Sequence, residues 1–321
     1  MGTVPGVSAD LDRAVATVVQ RCLGVKAGEE VLVVADPDRA DLGRALHEAV
    51  LAAGGDGALA IVGPHARRGT EPPRSVAAAL AGSDAYLAPC LPSISHTQAR
   101  KAATDAGVRG ATLPGVTADL LARLMSADFD TLTRRSQAVA ALMTDATEAH
   151  LTCPRGTDLR LDLTGRAGIS DHGDLSAPGA FGNLPCGEGF VAPLDGEGSL
   201  VASSVPGPGV VRDEPVTITV RDGRLVSGTG RHAAAYLEQL DAHGSAGRNL
   251  AELGVGTNER AALTGNILED EKILGTAHVA FGASAAIGGT VAVPVHLDVV
   301  VLAPTVTVGA TTVVDAGRFI L

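Results

Sequence analysis

Tryptophan is absent from this 321-residue chain, and only five phenylalanines and two tyrosines stand beside 40 glycines. Base stacking on single-stranded nucleic acid lacks its aromatic platforms. Basic residues are also the minority, since 25 Lys and Arg against 36 Asp and Glu leave a net charge of −11. That is the wrong sign for a phosphate-backbone partner, so no nucleic acid is expected. Mean hydropathy is positive at +0.23, yet no apolar run approaches the roughly 20 residues of a spanning helix, and no membrane partner is expected either. Cys22, Cys90, Cys153 and Cys186 form no C-x-x-C pair. Their mostly apolar neighbours suit free thiols in a reducing cytoplasm. MGTVPGVSADLDR at the start has no basic-then-apolar signal pattern, in keeping with a cytoplasmic location. Neither G-x-G-x-x-G nor G-x-x-x-x-G-K follows the first strand-like run, so a nucleotide cofactor has no fingerprint.

What is present is an alternation of short apolar runs and helical patterns. VLVVAD (31–36), ALAIVG (58–63), DAYLAP (84–89) and VRGATLP (108–114) read as buried parallel strands, separated by helical stretches at 39–53, 73–81, 97–106 and 117–143. After about residue 147 the texture becomes short alternating strands, with Asp222-Gly223 marking a hairpin between 216–220 and 224–227. The length suits two domains. The expected fold is α/β: an N-terminal doubly wound, mostly parallel sheet domain over 1–146 and a C-terminal β-rich α+β metal-binding domain over 147–321.

One N-terminal loop stands out, SISHT (93–97) with Arg100, because ligands of open α/β sheets sit outside the carboxyl ends of strands. His96 is a candidate there for substrate contact, and the helix start could hold an anion. The plainer reading is a capping loop with Ser95 or Thr97 as N-cap.

The charged residues between 249 and 298 are harder to explain as surface. H-x-D, His296 and Asp298, projects two polar side chains to one face of the apolar run VAVPVHLDVVVLAP. An unpaired buried charge is costly, so these groups need a shared partner, and a metal ion is the simplest. His278 adds a second imidazole, giving the two-histidine, one-carboxylate set of a mononuclear non-haem iron site. Glu252, and Glu188 in NLPCGEGFVAP, extend the set to five, enough for two divalent ions. Singly, each residue reads as core histidine or solvated turn, and EDEK (269–272) as a solvated helix face or turn.

NLPCGEGFVAP, AELGVGTN, GNILEDEKILGTAHVAFG and HLD, with SISHT and EPP (71–73), resemble the aminopeptidase T family of metallopeptidases, in its shorter leucyl-aminopeptidase-like branch. The resemblance covers nearly the whole chain in order. It implies a homodimer and a metal-dependent hydrolase that cleaves an amide or peptide bond next to a free amino end. Glu188, Glu252, His278, His296 and Asp298 become metal ligands, with Glu188 or Glu252 as catalytic base and Asp298 bridging two ions of Zn, Co or Mn. A small molecule or short peptide is the implied substrate, and His96, Lys272 and Ser284 are candidates to touch it. Lys272 could assist an oxyanion, or form a surface ion pair.

The chain departs from the peptidase pattern in GASAAIGG (282–289), where the peptidases carry a tyrosine and this chain has the small wall Ala283 to Ala286. The same resemblance reaches the 2,5-dihydroxypyridine dioxygenases, whose Fe(II) set of two histidines and an aspartate matches His278, His296 and Asp298. A descendant of the fold without peptidase turnover is the remaining reading.

Overall fold

A computed structural model describes residues 5–63, 70–91, 93–211 and 214–321, the side chains of 5–8 excepted. The chain forms two compact units, Met1–Ala127 with Gly173–Cys186, and Asp128–His172 with Gly187–Leu321.

In the first unit five parallel strands line up in the order β2-β1-β3-β4-β8: Asp56–Ile61, Glu30–Ala35, Ala85–Ala88, Arg109–Thr112 and Phe181–Asn183. β1 is buried along all but its first residue, as a strand covered on both faces must be. Helices α1 (Pro5–Ala16), α2 (Ala40–Ala52) and α5 (Ala118–Leu124) pack together, and α3 (Arg74–Gly82) packs on α4 (Gln98–Asp105). Two helix layers follow from right-handed crossovers that reverse direction between β1 and β3. This is the doubly wound layer expected from the sequence.

Thr97 caps α4, its Oγ1 accepting from the Arg100 amide at 3.2 Å. The helix start is not open to an outside anion, because the Glu71 carboxylate accepts from the Gln98 and Ala99 amides at 2.6 and 3.0 Å. Thus the EPP and SISHT segments are joined, and the capping reading of the loop holds.

The stretch 117–143, read as one helix, is two. Thr117 caps α5 and Asp128 caps α6 (Phe129–Asp145). α6 belongs to the second unit, where it packs on β7 (Ile169–Asp171) and β9 (Glu188–Val191). Gly189 permits that approach: a Cβ there would lie 2.6 Å from the Val139 Cβ. Sequence reading drew one boundary between 146 and 147, whereas by packing the chain changes unit after Ala127, His172 and Cys186.

The second unit holds two antiparallel sheets. One has eight strands in the order β14-β13-β10-β6-β5-β18-β19-β20: Arg224–Thr229, Val216–Arg221, Asp195–Ala202, Asp158–Asp162, Glu148–Thr152, Thr305–Val308, Thr311–Asp315 and Arg318–Phe319. The other has seven, β12-β11-β17-β16-β15-β9-β7, in which β12 is Gly209–Val210, β11 Ser204–Val205, β17 His296–Val301, β16 Ala277–Gly282 and β15 Leu250–Gly256. The hairpin foreseen at Asp222-Gly223 joins β13 to β14, with φ of 49° and 62° at its two turn residues. Leu159, Leu200, Ile218 and Val306 of the larger sheet meet Leu253, Val279, Phe281 and Val299 of the smaller in one apolar core, closed by Val139 and Met143 of α6. Helix α7 (Ala233–Asp241) adds Tyr236 and Leu240 to it. No helix among the described residues is long and apolar enough to cross a membrane.

In the first unit Arg109 ties strand β4 to the segment before β1. Its Nε donates to the Leu23 carbonyl at 2.8 Å, and its guanidinium pairs with Glu29. Burial pushes the Glu29 carboxyl up, but Arg109 and Lys26 hold it below its usual value. The pair therefore contributes above the unfolded carboxylate range and is lost as pH falls through the lowered folded value. Replacing Arg109 by Ala is expected to lower unfolding stability by about 3 kcal/mol in chemical denaturation at neutral pH.

Candidate metal centre

The antiparallel register of the seven-stranded sheet gathers the candidate ligands. Residues directly opposite point to the same side, and residues i and i+2 of one strand do too. Gly254 of β15 pairs with His278 of β16 and Glu252 with Ala280, while across β16 Ala280 pairs with Asp298 and Gly282 with His296. On the other flank Gly256 pairs with Glu188 of β9, and Glu188 with Asp171 of β7. One face of the sheet thus carries Asp171, Glu188, Glu252, His278, His296 and Asp298. Leu253, Val255, Val279, Leu297 and Val299 alternate with them and face the core. Ala280 and Gly254 put little bulk between the polar side chains, while at Gly282 the Val295 carbonyl takes the room, 2.2 Å from where a Cβ would lie.

The room at Gly254 is used. A Cβ on Gly254 would lie 2.0 Å from His278 Nε2, so the imidazole lies across the bare backbone of its partner strand. His278 Nε2 is 3.1 Å from Glu252 Oε1 and 3.0 Å from Glu188 Oε2. One N–H serves only one of them: it donates to Glu252, and Glu188 Oε2 remains a buried atom without a hydrogen-bond partner. His296 Nδ1 donates to the Ala283 carbonyl at 2.7 Å, which turns Nε2 toward Glu252 Oε2 at 3.4 Å and Asp298 Oδ1 at 3.5 Å. A carbonyl fixing the far nitrogen is the usual device for orienting a metal-binding imidazole. From the core side the Tyr236 hydroxyl donates to the Leu297 carbonyl, between the two residues of H-x-D, at 2.9 Å.

The donors form two compact groups, Glu188–Glu252–His278 and Glu252–His296–Asp298. Nitrogen and carboxylate donors of this kind, with an orphaned buried oxygen among them, fit a divalent cation. The carboxylate common to both groups is Glu252, whereas the sequence reading gave the bridging position to Asp298.

Lys272 lies beside this set and is 1% exposed, which overturns the surface ion pair. Its ammonium contacts Glu188, Glu271 at 3.1 Å and Asp171 at 3.4 Å. The whole EDEK run is buried, not a solvated face. Glu269 and Asp270 accept from the amides of Ala262 and Thr264, both at 2.8 Å, which fastens the loop before Asn266 and leaves Glu271 and Lys272 for the site. Burial raises a carboxyl, but the Lys272 charge and then His278 hold Glu188 down to about 2. Burial leaves Asp171 and Glu271 raised, to about 7 and about 8, despite the same lysine.

Two other candidates stand differently. Ser284 is buried, and its Oγ accepts from the Val291 amide at 3.2 Å, which knots the loop between β16 and β17. His96 belongs to the first unit and is exposed on the turn before α4. Asp171 and Gly254 are site residues that sequence reading missed. Asp171 carries no motif; Gly254 carried a usable signal, since a glycine inside a strand marks close approach of another group.

A doubly wound α/β unit and a β-sandwich unit with nitrogen and carboxylate donors on one sheet face define a metalloenzyme-type architecture. The family model described as NicX, 2,5-dihydroxypyridine 5,6-dioxygenase, matches residues 10–321, and the chain belongs to that family. The solved 2,5-dihydroxypyridine dioxygenase from Pseudomonas putida KT2440 is similar in fold at a TM-score of 0.83, with 18% identity over 97% of each chain. AmpT from Thermus thermophilus is similar at 0.71, with 19% identity over 98% of this chain and 100% of that one. No curated protein matches. The resemblance to aminopeptidase T therefore holds for the fold, and the family is that of the dioxygenases.

Burial alone would lower both imidazoles, but Glu188 raises His278, and Asp298 raises His296, well above the usual value. Their carboxylate neighbours thus favour the protonated imidazoles, so a cation competes with protons for both rings and its affinity falls as pH is lowered. Calorimetric titration with Fe(II) or Zn(II) in two buffers of different ionisation enthalpy is expected to register proton release. Gly254→Ala should reduce bound metal at least tenfold by elemental analysis while circular dichroism stays unchanged, because the added methyl occupies the place of the imidazole.

Proposed function

We propose that this chain is an Fe(II)-dependent dioxygenase that opens the ring of a dihydroxylated pyridine, with His278, His296 and Asp298 holding the iron. The observation that carries this reading is the family match across residues 10–321. The charge pattern supports it. Lys272 pairs with Glu188, and burial keeps Glu271 and, in part, Asp171 protonated near neutral pH. Glu252 and Asp298 are then the carboxylates left to balance, and one divalent cation does so.

Iron(II) in a two-histidine, one-carboxylate setting supplies a redox centre with open positions for substrate and dioxygen. The protein's part is positional. The Ala283 carbonyl aims His296, and Glu252, between both imidazoles, keeps their rings turned inward. Glu188, held charged by Lys272, keeps its second oxygen, Oε2, 3.0 Å from His278 Nε2, so it orients that imidazole from the side opposite Glu252.

A second reading has one specific observation behind it: the two donor groups share Glu252, as a carboxylate bridging two ions would. That reading is a metal-dependent hydrolase of the aminopeptidase T kind, with Zn, Co or Mn and a metal-activated water.

Anaerobically purified protein loaded with Fe(II) separates them. About one iron per chain, with dioxygen uptake on adding 2,5-dihydroxypyridine, is the expected result. Two tightly held zinc ions per chain with release of p-nitroaniline from aminoacyl p-nitroanilides would replace the first reading by the second.

A further inference from the structure

The same sheet face carries one aromatic side chain that neither reading has used. Phe190 stands two residues after Glu188 on β9 and so shares its face. Its partner on β15 is Gly254, across whose bare backbone the His278 imidazole lies. Its partner on β7 is Ile169, two residues before Asp171. Phe190 therefore adjoins the imidazole with no side chain from the strand between to separate them. Its neighbours Gly189 and Val191 face the other way: Val191 is part of the apolar core, and Gly189 lies against Val139 of α6. Helix α6 thus braces the strand from behind and fixes the direction of the ring.

Phe190 takes no part in the core. It is only partly buried, while the residues flanking it, Gly189 and Val191, are buried, as is Phe281 on the core side of β16. In a chain with five phenylalanines and no tryptophan, a ring left partly open beside a charged donor set, outside the apolar core between the sheets, is not explained by core packing.

We infer that Phe190 is the specificity-determining platform on which the ring of an aromatic substrate stacks. The inference rests on the dioxygenase reading and deepens it. The donors fix the polar substituents of the ligand, and the phenyl face selects for a planar ring over an open-chain ligand of similar charge. Offset stacking between two rings adds attraction beyond the area they bury.

The test measures binding, not turnover. Fe(II)-loaded protein under argon is titrated with 2,5-dihydroxypyridine and, separately, with oxalate, a non-aromatic metal-binding dianion. Phe190→Leu is expected to weaken the pyridine about tenfold, to leave oxalate affinity and iron content unchanged, and to be rescued by Phe190→Trp. Equal weakening of both probes, or unchanged pyridine affinity, overturns the inference and leaves the dioxygenase reading standing. A wild-type iron protein that binds oxalate but no dihydroxypyridine overturns that reading and the inference together.

Discussion

Charge balance on one face of the seven-stranded sheet is the constraint to which the second unit is built. Asp171, Glu188, Glu252, Glu271 and Asp298 crowd around a single lysine and two imidazoles. Removing such groups from water costs several kcal/mol each unless every charge meets an opposite one. The chain meets this partly with its own ammonium, partly by keeping carboxyls neutral, and partly by leaving a deficit that a cation completes. The metal is, in this sense, a component of the folded unit's electrostatics as well as of its chemistry.

The geometry that allows this is strand alternation carried to both extremes. β15, β16 and β17 present mainly branched or aromatic side chains to the core between the sheets, and to the other face polar or small ones, with Val300 of β17 the exception. Glycine and alanine at 254, 280 and 282 contribute little packing. The bare backbone at Gly254 sets how closely the His278 imidazole approaches the neighbouring carboxylates, so packing is concentrated on one side of the sheet and charge on the other.

Much of this was legible beforehand. His296 and Asp298 are two apart in an apolar strand, and period-2 geometry alone puts them on one face. Parallel strands and the 222–223 hairpin follow from local patterns of the same kind, whereas Glu188 and Glu252 join the candidate set only through the company of the two histidines and the family resemblance. The solvated reading of EDEK, and with it the surface ion pair of Lys272, fails because a run of four charged residues looks like surface, and only tertiary contacts reveal that Glu269 and Asp270 are consumed in fastening a loop. Asp171 escaped for a related reason: it joins the site through an edge strand of three residues, too short for any periodicity to register. The single domain boundary was drawn where local texture changes, at about 147, whereas packing assigns α6 forward and Phe181–Asn183 backward.

That backward assignment bears on how the molecule emerges from the ribosome. The parallel sheet is flanked by β4 until Phe181–Asn183 arrives beside it, and by then the chain has already made α6, β5, β6 and β7 of the other unit. Vectorial synthesis therefore cannot finish the first unit before beginning the second. During that interval the outer edge of β4, with its unpaired amides and carbonyls, is exposed to pairing with any other extended segment.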